Sequence, residues 1–131
     1  MKGIDFVDYQ EKATTLHESG ENCCQSVLGC CCEHFQMDAE TAYRLGAFFG
    51  GGMRCGEVCG AVTGALMALG LAYGDQENRK CQKSHEFLKA FEAAYGHLAC
   101  KELLAPPGMK KKEMCPKYIN FAAKYLEDEF K

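Results

Sequence analysis

The stretch Gly50-Gly51-Gly52-Met53-Arg54-Cys55-Gly56-Glu57-Val58-Cys59-Gly60-Ala61-Val62-Thr63-Gly64-Ala65-Leu66-Met67-Ala68-Leu69-Gly70-Leu71 constrains this chain more than any other. Its first half is rich in glycine and has no apolar period, so it reads as a loop that needs unusual backbone angles or close backbone approach. Its second half is apolar on nearly every side and lacks proline, the pattern of a buried helix. Gly56, Gly60, Gly64 and Ala68 recur at every fourth position. On a helix they form a smooth stripe that admits another backbone or a flat ligand. Such stripes serve helix packing more often than ligand binding, so a helix–helix contact is the expected use.

The chain has 131 residues, enough for one core, and reads as a single helical domain over 1–131. Net charge is −3 with both signs spread along the sequence, and no basic–aromatic interleaving marks a nucleic-acid surface. Lys110-Lys111-Lys112 reads as a solvated loop tip beside the prolines. Acidic residues at Asp5 and Asp8 fall where a signal peptide needs its apolar region, which argues against export. The run Val58–Tyr73 is too short and glycine-rich for a membrane span. The expectation is a soluble, cytoplasmic protein that is not membrane-embedded.

Ten cysteines are then the anomaly. In a reducing compartment they point to thiol chemistry, to metal or cluster ligation, or to small buried hydrophobes. No Cys-x-x-Cys occurs, which excludes a thioredoxin-type motif, zinc ribbons and covalent c-type haem attachment. His17, His34, His85 and His97 show no metal-pair spacing and read as surface or half-buried helix residues.

The apolar spacing predicts an all-α bundle of five to seven helices around the helix at about 58–73. The first helix runs from Ile4 to about Glu18, with Ile4, Phe6, Val7, Ala13 and Leu16 inward and Ser19-Gly20 ending it. Asn22 caps a helix from Cys23 to about Phe35, with Cys24, Leu28, Cys31 and Phe35 on its apolar stripe. Asp38 caps Ala39–Phe49, with Ala42, Leu45, Phe48 and Phe49 inward. A polar start at Asp75 leads to a helix carrying Cys81, His85, Leu88, Phe91, Tyr95 and Leu98 at helical spacing, with Phe87 and Ala94 beside them and a break at Gly96. A short turn over Leu98–Leu104 stops before Pro106-Pro107-Gly108. Cys115-Pro116 opens the last helix, with Ile119, Ala122, Leu126 and Phe130 buried.

A helix start lowers a thiol's pKa through its unpaired N–H groups and dipole. Cys23 after Asn22, Cys59 after the glycine loop, and Cys115 before Pro116 are placed this way, and Cys100 lies near the start of a short segment. With Gly56 as cap, Cys59 falls in a first turn, and it is expected to have the lowest thiol pKa of the chain. Cys24 and Cys31 read as core, Cys30 and Cys32 as helix body, Cys81 as part of an apolar stripe, and Cys55 as a loop thiol near Cys59.

Asn22-Cys23, the triplet Gly50–Gly52, Cys59-Gly60-Ala61-Val62-Thr63-Gly64, Cys100-Lys101-Glu102-Leu103-Leu104 and Cys115-Pro116 resemble the C_GCAxxG_C_C family over about residues 20–125. The family's redox activity is inferred from its cysteines. The resemblance implies a helical cytoplasmic protein with Cys23, Cys59, Cys100 and Cys115 as the functional set; the six additional cysteines depart from the pattern.

Three functions follow. The first is a thiol redox protein, a candidate oxidoreductase, in which Cys59 attacks and Cys100 or Cys23 resolves, and which serves a redox partner or small molecule. The second is an iron–sulfur or other metal site ligated by Cys23, Cys59, Cys100 and Cys115. The third is a non-catalytic small-ligand module working with a transporter, in which the glycine loop and helix start hold an anion. In each, Gly50, Gly51, Gly52, Gly60 and Gly64 are the candidate cofactor-binding positions.

Overall fold

The computed structural model describes residues 8–75, 81–104 and 111–130. Helix is its regular structure: α1 (Tyr9–Glu18), α2 (Cys23–Cys31), α3 (Ala39–Gly46), α4 (Gly60–Tyr73), α5 (Lys83–Tyr95), α6 (Cys100–Leu103) and α7 (Lys111–Phe130). A 3-10 segment, Cys32–Phe35, follows α2, and a wide turn, Gly52–Gly56, precedes α4. The all-α expectation holds, and among the described residues no helix is long and apolar enough to cross a membrane.

The centre is the seam between α2 and α4, the most extensive contact of the fold. The glycine stripe makes it possible. A Cβ on Gly60 would lie 3.0 Å from Cys23 Cβ and 3.0 Å from the Cys24 nitrogen, and one on Gly64 would lie 2.9 Å from the Cys24 carbonyl oxygen. The stripe therefore serves packing. Gly56, expected as its first member, stands outside the helix at φ +78°.

The other helices close round this seam. Asp8 caps α1, accepting from the Glu11 N–H, and the Tyr9 N–H donates to Glu127 of α7 at 2.9 Å. Thr14 and Asn120 join the same two helices at 3.2 Å. Phe87 and Phe91 of α5 are fully buried and meet Tyr118, Phe121 and Tyr125 of α7 edge-on or tilted.

Several expected boundaries and faces shift. Ile4, Phe6, Val7, Lys110 and the Pro106–Gly108 stop lie outside the described residues. The helix expected over 23–35 tightens at Cys32, where successive thiols donate to carbonyls of the preceding turn and compete with the helical ladder. Helix α3 stops at Gly46, so Leu45 and Phe48 are 51% and 70% exposed, not buried, while Ala42 and Gly46 face α2. On α5 the inward axis is Phe87–Phe91, leaving Cys81, His85 and Ala94 exposed, because the aromatic face of α7 lies on that side. Gly96 ends α5 at φ +82° as expected. Helix α7 begins at Lys111, not at Cys115-Pro116, so Lys111 and Lys112 are helical and Pro116 lies inside. Lys111–Met114 are good helix formers, and a proline one turn in removes a single ladder bond near an end that already lacks several.

A cavity lined by four cysteines

The site is built from three local devices. The first is the start of α2. Asn22 and Gln25 form a reciprocal capping box, each side chain accepting from the other's backbone N–H at 2.8 Å. The Asn22 amide also donates to the Gly46 and Ala47 carbonyls, tying the end of α3 to the same point. Cys23, the first helical residue, is thereby fixed and 7% exposed.

The second device is the glycine loop. Gly51, Gly52, Met53 and Arg54 are all left-handed, with φ of 65°, 67°, 60° and 63°. Gly50 lies against Asn22, 2.6 Å from its Cβ to an added Cβ, and a Cβ on Gly52 would collide with the Glu57 backbone and come within 2.8 Å of Cys100 Cβ. The Glu57 N–H closes the turn on the Gly52 carbonyl at 2.9 Å.

The third device joins distant parts of the chain. Val58 and Ala99 form an isolated antiparallel bridge, in which the Cys59 N–H donates to Leu98 O at 2.8 Å and the Cys100 N–H donates to Glu57 O. Side chains alternate along extended backbone. Cys59 and Cys100 therefore leave the bridge on one face, diagonal to each other, opposite the face of Val58 and Ala99. Cys59 is the N-cap of α4 and not a first-turn residue. Helix α6 starts at Cys100, and the Tyr118 hydroxyl donates to Leu103 O at 2.6 Å, docking α6 on α7 next to Cys115.

Cys23, Cys59, Cys100 and Cys115 thus line one enclosed cavity, together with Gly51, Gly60, Leu103, Leu104 and Tyr118. All four expected cysteines converge, although Cys115 comes from inside α7 and not from a helix start. Of the expected glycines, Gly51 and Gly60 border the cavity. Gly50, Gly52 and Gly64 instead permit contacts with Asn22, Cys100 and α2. The cavity offers about 10 Å³ to the centre of a water-sized molecule, close to the least that holds one water.

Two of these thiols, Cys23 and Cys59, are kept protonated by their surroundings. Cys23 is pushed far above the ordinary thiol range, first by a hydrogen bond with Cys115, then by burial and by Cys59 and Cys100. Burial pushes Cys59 up to about 11, against the Ala61 and Val62 N–H groups, which favour its thiolate. The cap position supplies the expected donors, but desolvation outweighs them, so Cys59 is not an acidified thiol. The Arg54 guanidinium lies over the exposed Phe48 ring, 5.2 Å from the centroid.

Tyr118 is the residue that sequence reasoning missed. It is buried, and its hydroxyl is held above its ordinary pKa by burial first and then by Cys59 and Cys115. Its place three residues after Cys115, on the face of Ile119 and Ala122, was the available signal. The other cysteines stand apart. Cys24 lies in the α2–α4 seam, 3.9 Å from the Met67 sulfur; Cys30, Cys31 and Cys32 bond to carbonyls of their own helix; Cys55 and Cys81 are exposed. His34, His85 and His97 are exposed and His17 half-buried, as expected of surface histidines.

Four thiols are the donor set of a zinc ion or an iron–sulfur cluster. Among the described residues, however, no group of three or more Cys, His, Asp or Glu is arranged to hold a metal ion.

These features define a class: an all-helical protein that gathers cysteines from four separate elements round one closed space. The chain belongs to the C_GCAxxG_C_C family, whose model matches residues 21–129 and carries the description "Putative redox-active protein (C_GCAxxG_C_C)". No curated protein and no solved structure matches the chain.

Proposed function

We propose that this chain is a thiol redox protein that cycles Cys23 and Cys115 between dithiol and disulfide, with Cys59 and Cys100 as an adjoining pair. The observation that carries the reading is the convergence of Cys23 and Cys115, from two different helices, on one cavity otherwise walled by Cys59 and Cys100. Two thiols that wall one cavity form a disulfide by losing two protons and two electrons and approaching to bond length. The acceptor is a disulfide, R–S–S–R, which leaves as two R–SH. Burial makes the thiols slow at neutral pH, because the thiolate is the nucleophile. It also keeps the pair from unselective oxidants.

The test is oxidation of the reduced chain, purified without oxygen, by the neutral hydroxyethyl disulfide, followed by peptide mapping without reductant. A Cys23–Cys115 link is the expected product. Tightly held zinc or iron in the purified protein, with the four thiols protected from the oxidant, would overturn the proposal in favour of a metal site.

A further inference from the structure

A second hollow lies outside the cysteine cavity. It is an open cleft of about 540 Å³ bordered by His17, Glu21, Asn22, Cys23, Gly51 and Arg54 among others. Two of these, Cys23 and Gly51, also wall the inner cavity. One thiol and one glycine are therefore common to both, and a Cβ on Gly51 would have nothing within 4 Å. Cys23 is the one family cysteine that borders both.

The cleft carries opposite charges that the fold does not use. Among the described residues, neither the Glu21 carboxylate nor the Arg54 guanidinium makes an ion pair. Arg54 is held by the Phe48 ring rather than by a carboxylate. His17 Nδ1 pairs with the Glu21 carbonyl at 3.1 Å, which fixes the backbone that carries the acid. An anion alone would meet Glu21, and a cation alone would meet Arg54. A ligand with both a carboxylate and an ammonium group matches the two.

We infer that this cleft binds a small zwitterionic disulfide, of the amino-acid or short-peptide type, with its carboxylate at Arg54, its ammonium at Glu21 and its sulfurs at Cys23. The inference rests on the thiol redox reading and gives it a substrate class. In the first step a bond forms between Cys23 sulfur and one substrate sulfur, the substrate S–S bond breaks, and the leaving R–S takes the Cys23 proton. In the second step Cys115 sulfur displaces the remaining R–S from Cys23, and that group takes the Cys115 proton. The sum is Cys23–SH, Cys115–SH and R–S–S–R giving the protein disulfide and two R–SH. Cystine and glutathione disulfide share this chemistry and differ in bulk.

The experiment compares oxidation rates of the reduced full chain by cystine, glutathione disulfide and hydroxyethyl disulfide, at low salt, in the wild type, Arg54→Gln and Glu21→Gln. A charge-assisted contact corresponds to about tenfold or more in rate when lost. Both variants are expected to lose about tenfold with at least one zwitterionic oxidant and to keep the wild-type rate with the neutral one. The oxidant that shows the loss identifies the amino-acid or the peptide source. Equal rates for charged and neutral oxidants in the wild type, or an equal fall for all three in the variants, would overturn the inference. Failure of the redox reading is distinguishable, since then no oxidant links Cys23 to Cys115. In that event the cleft is tested by titrating cystathionine, a zwitterionic thioether that cannot exchange. Binding lost in Arg54→Gln upholds the site, and no binding to the wild type refutes it.

Discussion

The two ends of α2 each carry a group of buried thiols, and they differ in the origin of their neighbours. At its end, Cys30, Cys31 and Cys32 are 1%, 2% and 1% exposed, and each donates to a carbonyl of the preceding turn. At its start, Cys23 and its companions Cys59 and Cys115 are almost as buried, at 7%, 4% and 4%. Burial therefore does not tell them apart, and neither does the direction of the pKa, since Cys30 is also raised, by contact with Cys31 and by burial. The difference is that Cys30 and Cys31 are chain neighbours whose Cα atoms lie about 3.8 Å apart, short of the roughly 4.4–6.8 Å a disulfide requires. Cys23 shares its cavity with Cys115 from another helix, and no such chain constraint fixes their separation. On the proposed redox reading, what sets the group at the start of α2 apart is its convergence from distant segments, whereas the run of adjacent cysteines at the other end serves packing.

Substitution is the sharpest way to break that contrast. Cys23→Ser or Cys115→Ser should abolish the disulfide mapped after oxidation, whereas Cys30→Ala and Cys32→Ala should leave it intact and lose only modest stability. Equal loss from both ends of α2 would erase the distinction. The second effect is shared by the two groups. A buried thiol with a raised pKa keeps its proton where the unfolded chain releases it. Stability is therefore full below pH about 9 and falls as pH rises toward the folded values, about 11 for Cys59. The slope is about 1.4 kcal/mol per pH unit for each such thiol. Denaturant unfolding under reductant between pH 8 and 11 reads it; a flat profile would mean these thiols are solvated.

A smaller effect separates the two ends along α4. Gly60→Leu and Gly64→Leu should each destabilise by about 1–3 kcal/mol through overpacking, and Gly60→Leu, which displaces Cys23, should also slow disulfide formation. Unchanged thermal midpoints would refute the close seam. Smallest is surface labelling. Iodoacetamide at neutral pH should modify the exposed Cys55 and Cys81 without loss of stability, while Cys59 stays unmodified until alkaline pH. Early modification of Cys59 would show that its backbone donors outweigh burial after all.

Local signals proved legible in the sequence. Asn22 and Asp38 are caps, Gly96 ends a helix, and the small-residue stripe packs two helices. The motif pattern also located the four cysteines that meet. The misread features depend on contacts between distant residues. Leu45 and Phe48 stay outside because Gly46 takes the inward place on α3. Cys115 sits in a helix body because the helix begins a turn earlier than its proline. Cys59 is not acidified because α6 and α7 enclose it. The Val58–Ala99 bridge, which aims Cys59 and Cys100 at one space, is a single pair with no alternating strand on either side to announce it.

Helix α7 has a consequence for how the molecule is made. It supplies Cys115 and Tyr118 to the cavity, and it clasps α1 through Glu127 and Asn120. Synthesis proceeds from the amino end, so Cys23 through Cys100 leave the ribosome before the helix that covers them. During that interval the sulfurs are uncovered and their spacing is that of a loose chain, in which near neighbours meet more often than distant ones. An oxidant present then would join the wrong partners. On the redox reading proposed above, the partner of Cys23 emerges after the other three cavity cysteines, so their correct pairing waits for α7.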